Sequence, residues 1–221
     1  MEGKTALVFG ATGLVGQSVV EQLNDLPSYS RIRIFARRRT GLSERPKVEE
    51  IITDFSDPET IRSFVSGDEV FICLGTTIKK AGTVKKMEEI DRDLPVKIAS
   101  MASENAVRAL AVVSSIGASE RSSNYYLRIK GEMEKGILGL NFKTIIIGRP
   151  SLLLGERAEK RAGESFSKFV MTAFGKLLAG RLARYRAING SDVAKALIRA
   201  LNSLDGVNIL ESDKLQKIAS D

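Results

Sequence analysis

The chain runs to 221 residues, with 34 Lys+Arg against 27 Asp+Glu, a net charge of +7, and 43% apolar residues. That ordinary composition excludes disorder and collagen-like repeats, and at about 150 residues per domain it allows one substantial domain. The sequence has no His and one Cys, Cys73, which excludes a Ser-His-Asp triad, an HExxH zinc site, a His-held haem and any internal disulfide.

In chain order, short β-branched runs at 5–9, 31–36, 48–52, 69–74, 108–113, 144–147 and 207–210 predict strands. Segments of helical spacing at 14–24, 58–65, 84–104, 125–138, 163–179 and 191–203 alternate with them. Several strands are apolar on both faces, so helices should cover both sides of a parallel sheet. The expected fold is α/β, a doubly wound parallel sheet of the Rossmann type, in a single domain over 1–221. After Gly148 the rhythm loosens, and 149–188 is expected to be a variable segment facing substrate or partner. Met1-Glu2-Gly3-Lys4 leads into the first strand without the residue order of a signal peptide, and no stretch reaches the ~18 apolar residues of a membrane span. With a lone thiol, the expected setting is reducing and cytoplasmic.

The first strand runs into Gly10-Ala11-Thr12-Gly13-Leu14-Val15-Gly16 and then directly into a helical pattern. Glycines at this spacing serve a tight turn, the approach of a pyrophosphate to the backbone, and close packing of helix on strand. The helix start adds N–H groups and a positive dipole end. Gly10, Thr12, Gly13, Leu14, Val15 and Gly16 are therefore the expected phosphate cradle, against the blander reading of a turn made for packing alone. About 20 residues on, an NAD-binding chain carries an Asp or Glu for the ribose 2′-OH. This chain reads Phe35-Ala36-Arg37-Arg38-Arg39 there. Cations in place of the carboxylate suit a 2′-phosphate, so Arg37 and Arg38 are expected to select NADP, with a solvated basic turn as the alternative. Asp54 is placed either to meet the adenine amine or to stay an exposed loop acid. At the end of the fourth strand, Leu74, Gly75 and Thr76 should let the cofactor pass close to the backbone, with Cys73 a buried small apolar residue.

The fifth strand ends in Ser114-Ser115, and Tyr126 and Lys130 follow at i and i+4 on a predicted helix. An ammonium beside a phenol favours its ionised form, and such a phenol can give a proton to a carbonyl oxygen that a Ser hydroxyl also holds. The Tyr-Lys spacing alone is a common accident of amphipathic helices. Behind a strand ending in Ser-Ser, in a chain that opens with a dinucleotide loop, it is specific.

On these motifs the chain resembles the atypical short-chain dehydrogenase/reductase superfamily over essentially its full length, and is similar to the branch of the Tat-interacting-protein oxidoreductases. The resemblance rests on GATGLVG at 10–16, CLGTT at 73–77, Asp91-Arg92-Asp93, SSIGA at 114–118, YLRIKGEME at 126–134 and GRPSLLLGER at 148–157. It implies Tyr126 as proton donor, Lys130 also binding the nicotinamide ribose, Ser115 polarising the carbonyl with Ser114 as the alternative, and Pro150 bordering the nicotinamide. Many members carry Asn on the fourth helix as part of a proton relay. This chain offers Asp91, which can relay protons or form a salt bridge with a neighbouring Arg.

The stretch 149–186 holds nine basic and three acidic residues, with apolar residues from Phe166 to Leu182 at helical spacing. It reads as a helix packed on the domain or on a second subunit, with an anionic substrate or an acidic membrane surface as alternatives. Two functions follow. One is an NADPH-dependent reductase of a small-molecule carbonyl compound; the other is an NADP(H)-binding regulatory or scaffold protein with weak or no catalysis. Nucleic acid is not an expected partner, since aromatics are only 6% and no basic motif interleaves them. Monomer and homodimer both stay open.

Overall fold

The structure, a computed structural model, describes residues 3–155 and 180–221. Its elements are β1 (Lys4–Phe9), α1 (Leu14–Asp25), β2 (Tyr29–Ala36), β3 (Val48–Ile52), β4 (Glu69–Ile72), α2 (Ile78–Ala81), α3 (Val84–Glu88) and α4 (Leu94–Glu104). There follow β5 (Ala109–Val113), α5 (Tyr125–Leu138), β6 (Thr144–Arg149), β7 (Leu153–Leu154), β8 (Ile188–Asn189), α6 (Gly190–Ser203), β9 (Gly206–Glu211) and α7 (Ser212–Ser220).

Seven strands form one parallel sheet in the order β3-β2-β1-β4-β5-β6-β9. Alternate side chains divide the core between two faces, as strand geometry requires. Ala6 and Val8 of β1 and Ala111 of β5 pack with Val19 and Leu23 of α1 and Val193 and Leu197 of α6. Leu7, Val70, Ile72 and Val112 point the other way, onto Ile98 and Met101 of α4 and Met133 and Ile137 of α5. On that second face Phe9 and Phe35 stack with ring centres 4.2 Å apart. The Rossmann-type doubly wound sheet is thus as expected, and strand order reverses at β1/β4, where ligands of such sheets bind beyond the carboxyl ends of the strands.

Local departures from the sequence reading have physical causes. The helix expected at 58–65 is a 3-10 helix, Pro58–Phe64. The Asn105 amide takes the carbonyls of Arg62 and Val65, and Arg33 takes that of Phe64, so the segment's last carbonyls are bonded outside any α ladder. The single helix expected over 84–104 is divided by a π-helical segment, Glu89–Asp93, in which the Leu94 N–H donates to the Glu89 carbonyl five residues back. Pro95 has no N–H to give the Asp91 carbonyl four residues back, so the α ladder cannot run through this point. The two-residue β7 and β8 pair in a small separate sheet, and α7 closes the described chain. Neither was expected. The helix expected at 163–179 lies outside the described residues.

Candidate dinucleotide and catalytic site

The turn between β1 and α1 is built around its glycines. Gly10 has φ +84, and a Cβ there would lie 2.5 Å from the Cys73 carbonyl oxygen of β4's end. A Cβ on Gly16 would lie 2.2 Å from the Gly10 carbonyl oxygen, so the first turn of α1 rests directly on the loop. Gly13 closes the turn by donating to the Gly10 carbonyl at 2.8 Å and then caps α1 with no side chain. No acidic residue stands in the first turn. The helix start thus presents backbone donors and a positive dipole end with no side-chain acceptor capping it, an arrangement that fits a phosphate. Val15 is buried, and the Leu14 side chain turns away to fill the space at Gly155 and Gly190, whose Cβ positions would lie 2.6 and 2.5 Å from it. Leu14 and Val15 can therefore face a ligand with backbone N–H groups only. Thr12 is exposed on the same turn.

Arg37, Arg38 and Arg39 follow β2 at the same carboxyl edge, and all three are exposed. Among the described residues none of them has an ion-pair or hydrogen-bond partner, while on β3 Glu50 accepts from the N–H and hydroxyl of Thr40 and Glu49 pairs with Arg33 at 2.9 Å. Asp54 is exposed and accepts the Ser56 N–H at 2.8 Å, a bond that holds its carboxyl below the ordinary range. Cys73 packs against the core, and burial pushes its thiol up to about 12, as befits an apolar filler rather than a nucleophile. Leu74 leans on the α4/α5 face, Gly75 is exposed, and the Thr76 N–H donates to Asp91 at 3.0 Å.

Beyond the sheet the ends of β5 and β6 stay zipped. Ser114 N–H donates to the Gly148 carbonyl at 2.7 Å and Ile116 N–H to the Pro150 carbonyl at 3.0 Å, which sets the Ser pair beside the buried Pro150. The two serines differ in freedom. Ser114 is buried, and its hydroxyl donates to Glu134, whose carboxylate also holds Arg149 at two points, one of them 2.9 Å. Ser115 is only partly buried, and its hydroxyl makes a single long contact of 3.5 Å to the Ile116 carbonyl.

Helix α5 starts at an Asn124 cap that accepts the Leu127 N–H, and it presses so closely on the preceding loop that a Cβ on Gly131 would lie 2.2 Å from the Ser119 backbone. That packing turns Lys130 and Glu134 inward, one helical turn apart, and both are buried. Tyr126 is partly buried, and its phenol makes no hydrogen bond among the described residues. The Lys130 ammonium is paired with Asp91 at 2.9 Å, where an ammonium beside the phenol was expected. Asp91 does not pair with its Arg neighbour: Arg92 pairs outward with Asp93 and Glu132. Glu134 and Arg149 were missed by sequence reading. Their only signal was a Glu one turn after Lys130 and an Arg at the end of the sixth strand. Among the described residues no cluster of metal-ligating side chains occurs, and no helix is long and apolar enough to cross a membrane.

Residues 10–204 match the NAD(P)H-binding family model. Among curated relatives, the chain is 35% identical over 190 residues to the mitochondrial protein FMP52 of Eremothecium gossypii, covering 85% of this chain and 82% of that one. It is 31% identical over 219 residues to the mitochondrial FMP52 of Saccharomyces cerevisiae, covering 97% and 92%. Those names overturn the cytoplasmic expectation. A lone thiol fits a reducing setting but does not separate one reducing compartment from another. In fold, the chain is similar to an ADP-L-glycero-D-manno-heptose-6-epimerase of Helicobacter pylori, with TM-score 0.71, 17% identity and coverage of 99% and 81%. It is similar also to a putative NAD-dependent epimerase/dehydratase of Bacillus halodurans, with TM-score 0.71, 19% identity and coverage of 99% of both chains. The chain therefore belongs to the NAD(P)H-binding family, on a Rossmann fold.

Proposed function

We propose that the protein is an NADPH-dependent oxidoreductase that reduces the carbonyl group of a small molecule. The observation that carries this reading is the meeting, at one edge of the sheet, of an uncapped helix start, three arginines without partners among the described residues, and the loop after β5 and first turns of α5 bearing Ser115, Tyr126 and Lys130. The backbone of Gly10, Thr12, Gly13, Leu14, Val15 and Gly16 would hold the pyrophosphate. Arg37 and Arg38 would hold the 2′-phosphate, Asp54 would lie toward the adenine, and Leu74, Gly75, Thr76 and Pro150 would flank the cofactor's path. Such exposed cations favour NADP over NAD, because a 2′-phosphate gains charge-assisted bonds that a bare diol does not.

Bound NADPH would supply hydride to the carbonyl carbon. Tyr126 gives its phenolic proton to the carbonyl oxygen as the C–O double bond becomes single, and the resulting phenolate recovers a proton from water at its partly open position. Ser115, the freer of the two serines, donates a hydrogen bond to the same oxygen, while Ser114 is occupied with Glu134. Lys130 stands one turn from Tyr126 to hold the ribose. The setting, on the relatives' names, is mitochondrial. The test is Tyr126→Phe assayed for NADPH oxidation across a panel of aldehydes and quinones. Turnover should vanish while NADPH affinity stays nearly unchanged. Turnover retained in the variant would remove Tyr126 from this role.

A further inference from the structure

Asp91 occupies the middle of the π-helical segment, and such segments occur frequently at functional sites. Its carboxylate is fully buried and meets two groups, each of which can only donate. Oδ2 accepts the Thr76 backbone N–H at 3.0 Å, and Oδ1 lies 2.9 Å from the Lys130 ammonium, itself 2% exposed. A Cβ on Gly75 would sit 3.5 Å from that same Oδ1, so the carboxylate lies directly beneath the turn that ends β4. Asp91 is the one ion-pair partner of Lys130 among the described residues. An amide at this position could not serve both neighbours, because its NH2 would face either the Thr76 N–H or the ammonium, donor against donor. The geometry thus calls for an acid, not an amide, at this position.

We propose that Asp91 is a positioning residue. It fastens Lys130 to the Gly75–Thr76 turn, so that the ammonium and the turn bordering the cofactor's path keep one fixed relation. The inference rests on the reading of Lys130 and of that turn as parts of the NADPH site. Its effect on the cofactor is exerted through Lys130, and this separates it from a purely structural role.

The experiment is calorimetric titration with NADPH, well below the unfolding temperature, of the native protein, Asp91→Asn, Lys130→Met and the double variant. Asp91→Asn is expected to bind NADPH weaker by about tenfold or more. The double variant, which removes both buried charges together and is the one expected to fold most securely, should bind within about twofold of Lys130→Met alone. Affinity of Asp91→Asn within about twofold of native overturns the proposal, as does a double variant whose losses multiply as though the sites were independent. If Asp91→Asn alone fails to fold, the comparison of the double variant with Lys130→Met still decides. Native protein that binds no NADPH overturns the cofactor reading and this inference with it. Native protein that binds, with Asp91→Asn unaltered, overturns this inference alone.

Discussion

Glu134→Ala should be among the most damaging single substitutions outside the apolar core, and the structure says by how much. The Glu134 side chain is 4% exposed and holds the Arg149 guanidinium at two points while accepting the Ser114 hydroxyl. Removing one partner of a buried ion pair costs about 3–5 kcal/mol, because the other charge is left without compensation. Arg149 keeps 21% of its side chain exposed, so water can screen it, and the expected loss falls to about 2–4 kcal/mol. For a chain of this size each kcal/mol moves the midpoint about 2–4 °C, which places the thermal shift at about 5–15 °C. Differential scanning calorimetry reads this directly. Ser114→Ala removes only a hydroxyl from a carboxylate that retains Arg149, so its cost should stay near 1–2 kcal/mol, or roughly 2–8 °C. A Glu134→Ala midpoint within about 2 °C of native would refute the claim that this carboxylate ties β5, α5 and β6 together.

Three further outcomes follow from the site. Gly16→Ala puts a methyl 2.2 Å from the Gly10 carbonyl oxygen, so overpacking of about 1–3 kcal/mol and weaker NADPH binding are expected, measured by thermal unfolding and titration. Gly82→Ala, with φ +79 but nothing within 4 Å, should cost only the left-handed strain of about 1–2 kcal/mol and leave NADPH binding alone; equal effects from the two substitutions would contradict the steric argument. The Cys73 thiol is raised from 9.0 to about 12, so the folded state keeps a proton that the unfolded state gives up. Its stabilising contribution is therefore fully present below pH 9 and is lost as pH rises toward 12, a dependence that Cys73→Ala should remove from denaturation midpoints measured across that range.

How much of this was legible in the sequence depends on how local each signal is. The Gly10, Gly13 and Gly16 spacing, the Arg37–Arg39 run and the alternation of strands with helices are set by neighbours in the chain, and the structure returns them where they were expected. The π-helical segment at Glu89–Asp93 was hidden because apolar spacing continues smoothly across 84–104; only Pro95 hinted that the ladder must break. Glu134 read as one more polar residue on a helix. Its burial comes from Arg149, fifteen residues away on another element, and no periodicity reports that contact. The pairing of Lys130 with Asp91 is likewise a meeting of two helices. Strands β7 and β8 are too short to carry a period. The Leu215, Ile218 and Ala219 spacing of α7 was present but brief.

The most direct test of the account is calorimetric titration of the native protein with NADPH and with NADH at fixed salt, repeated on Arg37→Ser/Arg38→Ser. NADPH should bind native protein at least about tenfold tighter than NADH, a gap of about 1.4 kcal/mol, and the double substitution should erase that gap by weakening NADPH alone. Equal affinity for the two dinucleotides in the native protein would contradict the assignment of the arginines to the 2′-phosphate. Binding of neither would reduce the glycine turn to a packing device and take the reductase reading with it.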